Sequence, residues 1–260
     1  MCPHCGRQKP GLWGFAGVLR RLDLEVGATH LIIGGCVVLY VVSLVLQPEA
    51  IRFQGLFGLL APGGEALLRL GASGSLPVVG AGRWWTVLSA GWLHGGLLHI
   101  LFNMMWVRQL APATTMLYGP SRMLLVYLVS SVVGFLASSF GGAFLPFLGF
   151  VMGGSRYAIS VGASAAVFGL LGAMVYAGRR GVASQLGRQA WGYAIALFVF
   201  GLVVPGVDNW AHLGGFVGGF ALGRVFDPMH PERLDHTVAA GVLLVATLGS
   251  IGLSLILGIE

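Results

Sequence analysis

The chain has 260 residues, 56% of them hydrophobic and only 9% charged, with a mean hydropathy of +0.85. Soluble domains carry about 25% charged residues, so a water-soluble globule is excluded and lipid is the expected solvent for most of the surface. The formal charge of +6 does not point to nucleic acid, because the basic residues stand singly or in pairs between apolar runs, as they do in membrane loops. The 43 glycines fall inside the apolar runs. In a bilayer they let helix backbones approach closely, so a tightly packed all-α membrane bundle is expected.

The chain opens with "MCPHCGRQ", in which Cys2 and Cys5 form a C-x-x-C pair. A structural zinc site wants four ligands. His4 lies between the two cysteines, where joint ligation is strained, and Cys36 falls in the first span. A reduced pair without metal is the default, with zinc shared with another chain as the alternative; no cofactor is expected. Residues 1–28 read as a cytosolic segment without the small-residue cleavage site of a signal peptide. Seven apolar segments follow, at roughly 30–46, 93–112, 122–139, 160–178, 190–206, 209–226 and 237–258, most of them near the ~20 residues that cross hydrocarbon. With the N-terminus inside, Arg7, Lys9, Arg20, Arg21, Arg108, Arg122, Arg179, Arg180, Arg188, Arg224 and Arg233 are cytosolic, and Arg52, Arg69, Arg83 and Arg156 lie opposite. The positive-inside rule therefore predicts a cytosolic N-terminus and an external C-terminus. The connection 47–92 contains "IRFQGLFGLL" and "GRWWTVL". It reads as an interfacial segment on the outer leaflet, with Trp84 and Trp85 at the water–lipid boundary.

Ionisable groups inside spans are rare and usually functional. Here His94, His99 and His212 lie in or at the edges of spans, and Asn103 lies deep in one. His99 and Asn103 stand four apart and share a helix face, where they could serve chemistry or simply bond across helices. In the fourth segment, "SVGASAAVFG" places Ser164 among small residues. The second, fourth and sixth spans are parallel, with Ser164 about four residues into its span and His212 about three into its own. Small-residue stripes run through Ala165, Gly169, Ala173 and Ala177, and through Ala211, Gly215, Gly219 and Gly223. If these stripes face each other, Ser164 and His212 swing to the same edge of the seam. A serine hydroxyl needs a base, and neutral imidazole is the usual one near pH 7. His99, Asn103 and the Ser164 amide are candidate donors to an oxyanion. Asp208 is expected to cap the sixth span, leaving a two-residue dyad.

In this order, "GRWWTVLSAGWLHGGLLHILFN", the "GAS" of Gly162–Ser164 and "AHLGGFVGG" at Ala211–Gly219 resemble the rhomboid family of intramembrane serine proteases over roughly residues 83–226. The resemblance implies a rhomboid-like six-helix transmembrane bundle over 29–228, followed by a linker and one additional C-terminal span over 229–260. It implies Ser164 as nucleophile, His212 as general base, His99 and Asn103 with the Ser164 amide at the oxyanion, Phe168 packed on the imidazole, and a supporting His94. Two positions depart from the family pattern: Ala165 replaces a common glycine, and Thr115 stands four before Gly119 where a structural glutamate is usual. The implied function is hydrolysis of peptide bonds in or near transmembrane segments of other membrane proteins. The implied setting is the cell membrane, with the site opening toward the outer face and the fifth span free to move aside. The alternatives are a catalytically silent rhomboid-like binding or trafficking factor, and a transporter or proton relay, which would want carboxylates inside the spans.

Overall fold

In the computed structural model, residues 24–54, 58–153 and 158–258 are described. Cys2, His4 and Cys5 lie outside them, as do Arg7, Lys9, Arg20, Arg21 and Arg156 of the charge asymmetry. Seven described helices have 16 residues or more: α1 Leu24–Leu46, α2 Leu97–Tyr118, α3 Pro120–Phe144, α4 Ser164–Arg179, α5 Ser184–Val203, α6 Asn209–Phe226 and α7 Leu234–Leu257. Their boundaries follow local chemistry. Gly119, at φ 90°, ends α2 and caps α3, and Pro120 takes the first helical position of α3, where its missing N–H costs nothing. Asp208 caps α6 by accepting from the Ala211 amide at 3.0 Å, as the sequence predicts.

Among the described residues, four helices, Gly27–Leu46 within α1, α3, α5 and α7, are long and apolar enough to cross a membrane. The periphery is apolar too. Val38, Val41 and Val45 on α1, Val199 and Val203 on α5, and Val242, Val245 and Leu248 on α7 all face outward. Contiguous apolar exposure on this scale calls for a lipid or protein cover. At the centre stands α4, buried from Ala165 through Val175 and at Ala177, with α2, α3, α5 and α6 packed around it.

Glycine sets the closest approaches. A Cβ on Gly219 of α6 would fall on the carbonyl of Gly169 in α4, and one on Gly215 on the carbonyl of Ala165. A Cβ on Gly223 would lie 3.2 Å from the Cα of Ala173. The two small-residue stripes therefore do face each other, in the register 165–215, 169–219 and 173–223. The first member of the α6 stripe is the exception. Ala211 turns its carbonyl to α3, where a Cβ on Gly134 would lie 2.6 Å from it.

The connection 47–92 is more structured than a surface loop. It holds an antiparallel hairpin, β1 Arg52–Gln54 with β2 Gly58–Ala61, and short helical turns at Gly64–Arg69 and Thr86–Ser89. Leu67, Leu70 and Ala72 bury against Leu93 and Ile251 of α7. Trp84 is 67% exposed, whereas Arg83 is drawn inside and donates to the Leu68 carbonyl at 3.2 Å. Desolvation pulls the Arg83 guanidinium below its ordinary value.

Arg122 likewise leaves the solvent-facing set. It is buried, and its side chain donates to the His230 and Pro231 carbonyls, both at 2.7 Å, and to His236 Nδ1 at 3.1 Å. Its amide donates to Glu232 Oε1 at 2.8 Å, and the same carboxylate lies against Gly119. The turn that lacks a glutamate at Thr115 thus takes a carboxylate from the segment between α6 and α7.

Candidate active site

The site forms where α4 begins. The apolar run suggests a span from residue 160, with Ser164 one turn inside it. Instead Ser160 is extended and pairs with Ser73 of the 47–92 connection through two backbone bonds, 3.1 and 2.7 Å. Gly162 then turns at φ +132°, and Ser164 becomes the first residue of α4. The turn is held by two further contacts. The Gly162 amide donates to the Ala90 carbonyl at 3.0 Å, and the Ala163 amide reaches His94 Nε2 at 3.5 Å. Amides in the first turn of a helix have no intrahelical acceptor, so that of Ser164 is free of the α4 ladder.

From α6, His212 comes to the same point. Its Nε2 lies 3.0 Å from Ser164 Oγ. Its ring stacks on Phe168, centroids 4.3 Å apart and planes inclined by 15°, one turn along α4 from the serine. On the other side, Nδ1 lies 3.1 Å from Asn209 Oδ1, while the Asn209 amide nitrogen donates to the Val151 carbonyl at 3.5 Å. That second bond accords with the amide oxygen facing the imidazole. Nδ1 then carries the proton, and Nε2 is left bare to accept from the serine hydroxyl. The stripe argument foresees this convergence but not Asn209, whose signal was present as an amide three residues before the histidine, on the same helix face. Asp208 does not touch the ring. Besides capping α6 it accepts from Ser160 Oγ at 2.6 Å and from Ser138 Oγ of α3, which ties the extended segment before Ser164 to two helices.

The α2 residues lie on the opposite side of the turn. His99 accepts from the Gly95 amide at Nδ1, 3.3 Å, which leaves Nε2 protonated and facing the Gly162 turn. Contact there is so close that a Cβ on Gly162 would lie 2.6 Å from that nitrogen. Asn103 is buried and donates to the His99 carbonyl at 2.8 Å, keeping a second amide hydrogen. His94 is not part of α2. It sits in the preceding loop, fully buried, with its ring edge-on to His99 at 5.2 Å. Among the described residues, no group of three His, Cys, Asp or Glu is arranged to hold a metal.

Fold and site together define a class: a multi-pass helical membrane protein that holds a hydrogen-bonded serine–histidine pair between two central helices. Residues 81–228, more than half of the chain, match the Rhomboid domain. The chain belongs to the rhomboid family. It is 30% identical over 185 residues to the rhomboid protease GluP of Bacillus subtilis (strain 168), covering 70% of this chain and 34% of that protein. It is 38% identical over 171 residues to RHOMBOID-like protein 4 of Arabidopsis thaliana, covering 64% and 40%. It is also 32% identical over 187 residues to the putative rhomboid protease YdcA of Bacillus subtilis (strain 168), covering 70% and 86%. The chain thus spans about a third of GluP and less than half of RHOMBOID-like protein 4.

Proposed function

We propose that this protein is an intramembrane serine endopeptidase that cuts peptide bonds in or near the transmembrane segments of other membrane proteins. The observation that carries the reading is the Ser164 Oγ–His212 Nε2 contact at 3.0 Å, with Asn209 on the far nitrogen of the ring. Ser164 attacks the scissile carbonyl as His212 Nε2 takes its proton, and the imidazolium returns that proton to the leaving amine. Water then attacks the acyl-serine, with His212 again as base. The developing oxyanion is met by the Ser164 amide, the Nε2 proton of His99 and the second amide hydrogen of Asn103. Gly162 shapes the turn, Phe168 holds the plane of the imidazole, and His94 supports the turn from below.

In this reading all seven long helices cross the membrane, six forming the core and α7 added after it. The 16 residues of α4 span only about 24 Å, short of the ~30 Å of hydrocarbon, so Ser164 begins below the membrane face and is reached by water from the side of the extended 158–163 segment. The charge asymmetry orients that side toward the exterior of the cell membrane. Helical substrates must unwind before cleavage, so Gly or Pro near the bond favours it. Substrate enters by displacement of α5 from α2, which meet through Trp106 and Tyr193, centroids 5.1 Å apart. Cross-linking α5 to α2 should abolish cleavage, and full activity after cross-linking would refute that route.

The test of the chemistry is labelling by a fluorophosphonate probe in membranes. Wild-type protein should label, Ser164→Ala should not, and His212→Ala should label at a small fraction of the wild-type rate. A wild-type protein that stays unlabelled while folded would overturn the reading.

A further inference from the structure

Between α1 and α2 lies a groove of about 820 Å3, lined by both helices. Its composition changes along its length. At one end are Ile33, Leu101, Met104 and Met105; at the other are Thr29, His30, Arg108 and Thr115, with Pro112 between the last two and Met116 beside them. Arg108 stands near the midpoint of the 22-residue α2, on an exposed face. None of the ion pairs among the described residues includes it. A cation at that depth is costly unless it reaches an anion or water. It can do so by extending along the apolar wall toward the α1 N-terminal end.

Two independent orphans wait at that end. The hydroxyls of Thr29, on α1, and Thr115, on α2, are both buried without a hydrogen-bond partner among the described residues, and the residues are 7% and 5% exposed. Buried hydroxyls are normally satisfied. Pro112 adds a third unused group, because it lacks the N–H that would bond the Arg108 carbonyl four residues earlier. One cation, two hydroxyl donors and the His30 imidazole at one end, continuing into an apolar channel with Met104 and Met105, complement an amphiphile with an anionic head. A transmembrane helix would satisfy the channel but not the donors.

We propose that this groove binds one anionic glycerophospholipid from the leaflet on the side of the α1 N-terminus. Its phosphate lies between Arg108, Thr29 and Thr115, and its acyl chains lie along Ile33, Met104 and Met105. The proposal rests on membrane insertion and not on proteolysis.

The full chain, carried in nanodiscs of mixed phosphatidylglycerol and phosphatidylcholine and released into detergent, is examined by native mass spectrometry. Wild-type protein should retain one phosphatidylglycerol per chain in preference to phosphatidylcholine. Loss of a charge-assisted contact should cut retention by about tenfold in Arg108→Gln, while Arg108→Lys and the exposed-site control Arg224→Gln keep it. Should Arg108→Gln fail to fold, the nearly isosteric Thr29→Val/Thr115→Val pair gives the same test. Equal retention of both lipids by wild type, or unchanged retention in folded Arg108→Gln, overturns the proposal. So does retention that arises only after residues 1–23 are deleted, or displacement of the lipid by a transmembrane substrate peptide, since the groove would then belong to another occupant.

Discussion

Two glycines flank the imidazole of His99, and the structure predicts opposite fates for them. At Gly162 a Cβ would lie 2.6 Å from His99 Nε2 and 2.7 Å from Cε1, and the backbone φ is +132°. At Gly95 the nearest atom is His99 Nδ1, 3.9 Å away, an ordinary contact. Gly162→Ala therefore incurs about 1–3 kcal/mol of backbone strain and a further ~1–3 kcal/mol of overpacking. The imidazole has little room to retreat, because His94 backs it at 5.2 Å. Relief must come from the turn itself, which moves the first residue of α4. A displacement of Ser164 Oγ by about 1 Å lowers the acylation rate by about 100-fold, even in molecules that remain folded. The assay is the rate of fluorophosphonate labelling, alongside thermal unfolding in detergent. Gly95→Ala should label within a few-fold of wild type. If Gly162→Ala labels at the wild-type rate, the turn does not position the nucleophile, and the reasoning from His99 to Ser164 fails.

Asn209→Ala removes the acceptor from His212 Nδ1 and leaves a buried N–H unpaired, a loss of about 1.5–3 kcal/mol. It should appear as a ~10- to 100-fold fall in kcat with little change in KM, and an unchanged kcat would remove Asn209 from the mechanism. Gly219→Ala drives a methyl onto the Gly169 carbonyl and should lower the melting temperature well below that of Gly192→Ala, where nothing lies within 4 Å; equal melting temperatures would refute the backbone contact between α4 and α6. Glu232→Gln weakens the acceptor for the Arg122 amide. It should destabilise by about 1 kcal/mol, read as a lower denaturation midpoint, and no shift would show that the linker carboxylate is idle.

Sequence patterns of short range carried much of this site. Small residues four apart announced a close helix pair, and the offsets of Ser164 and His212 from their stripes announced that they meet. The cap at Asp208 was legible because a capping carboxylate acts within three residues. What failed to show was what depends on distant chain. Residues 160–163 are as apolar as a helix interior, and they are held extended by distant partners: Ser73, almost ninety positions earlier, with Ala90, His94 and Asp208. Ser138 meets Asp208 across 70 residues, and no local spacing encodes that. Arg122 looks in sequence like any basic residue at a membrane edge. Its burial follows from carbonyls at 230 and 231, more than a hundred positions later. Hydropathy reported the solvent of each segment, but not which polar group would find a partner.

The distribution of close contacts also argues for how a substrate could enter a bundle so tightly closed. α4 and α6 are locked backbone to backbone at 165–215, 169–219 and 173–223, so neither can shift without opening the core. α7 is fastened at both ends. Its leading linker holds Arg122, and near its far end Ser250 donates to the Trp85 carbonyl at 2.8 Å while Ser254 accepts from the Trp85 indole at 3.0 Å. Through Ala90 that same segment holds the Gly162 amide, so α7 braces the turn before Ser164. α5 is different. Its buried positions are only Gly187, Ala190, Ala194 and Gly201. The first touches the backbone of Gly178 at the end of α4, and the last faces Asn209 and Val207. A swing about the Gly178–Gly187 contact would carry Gly201 away from Asn209 and uncover the His212 side of the site. It would break none of the three contacts between α4 and α6, and the dyad would stay assembled while the path to it opened.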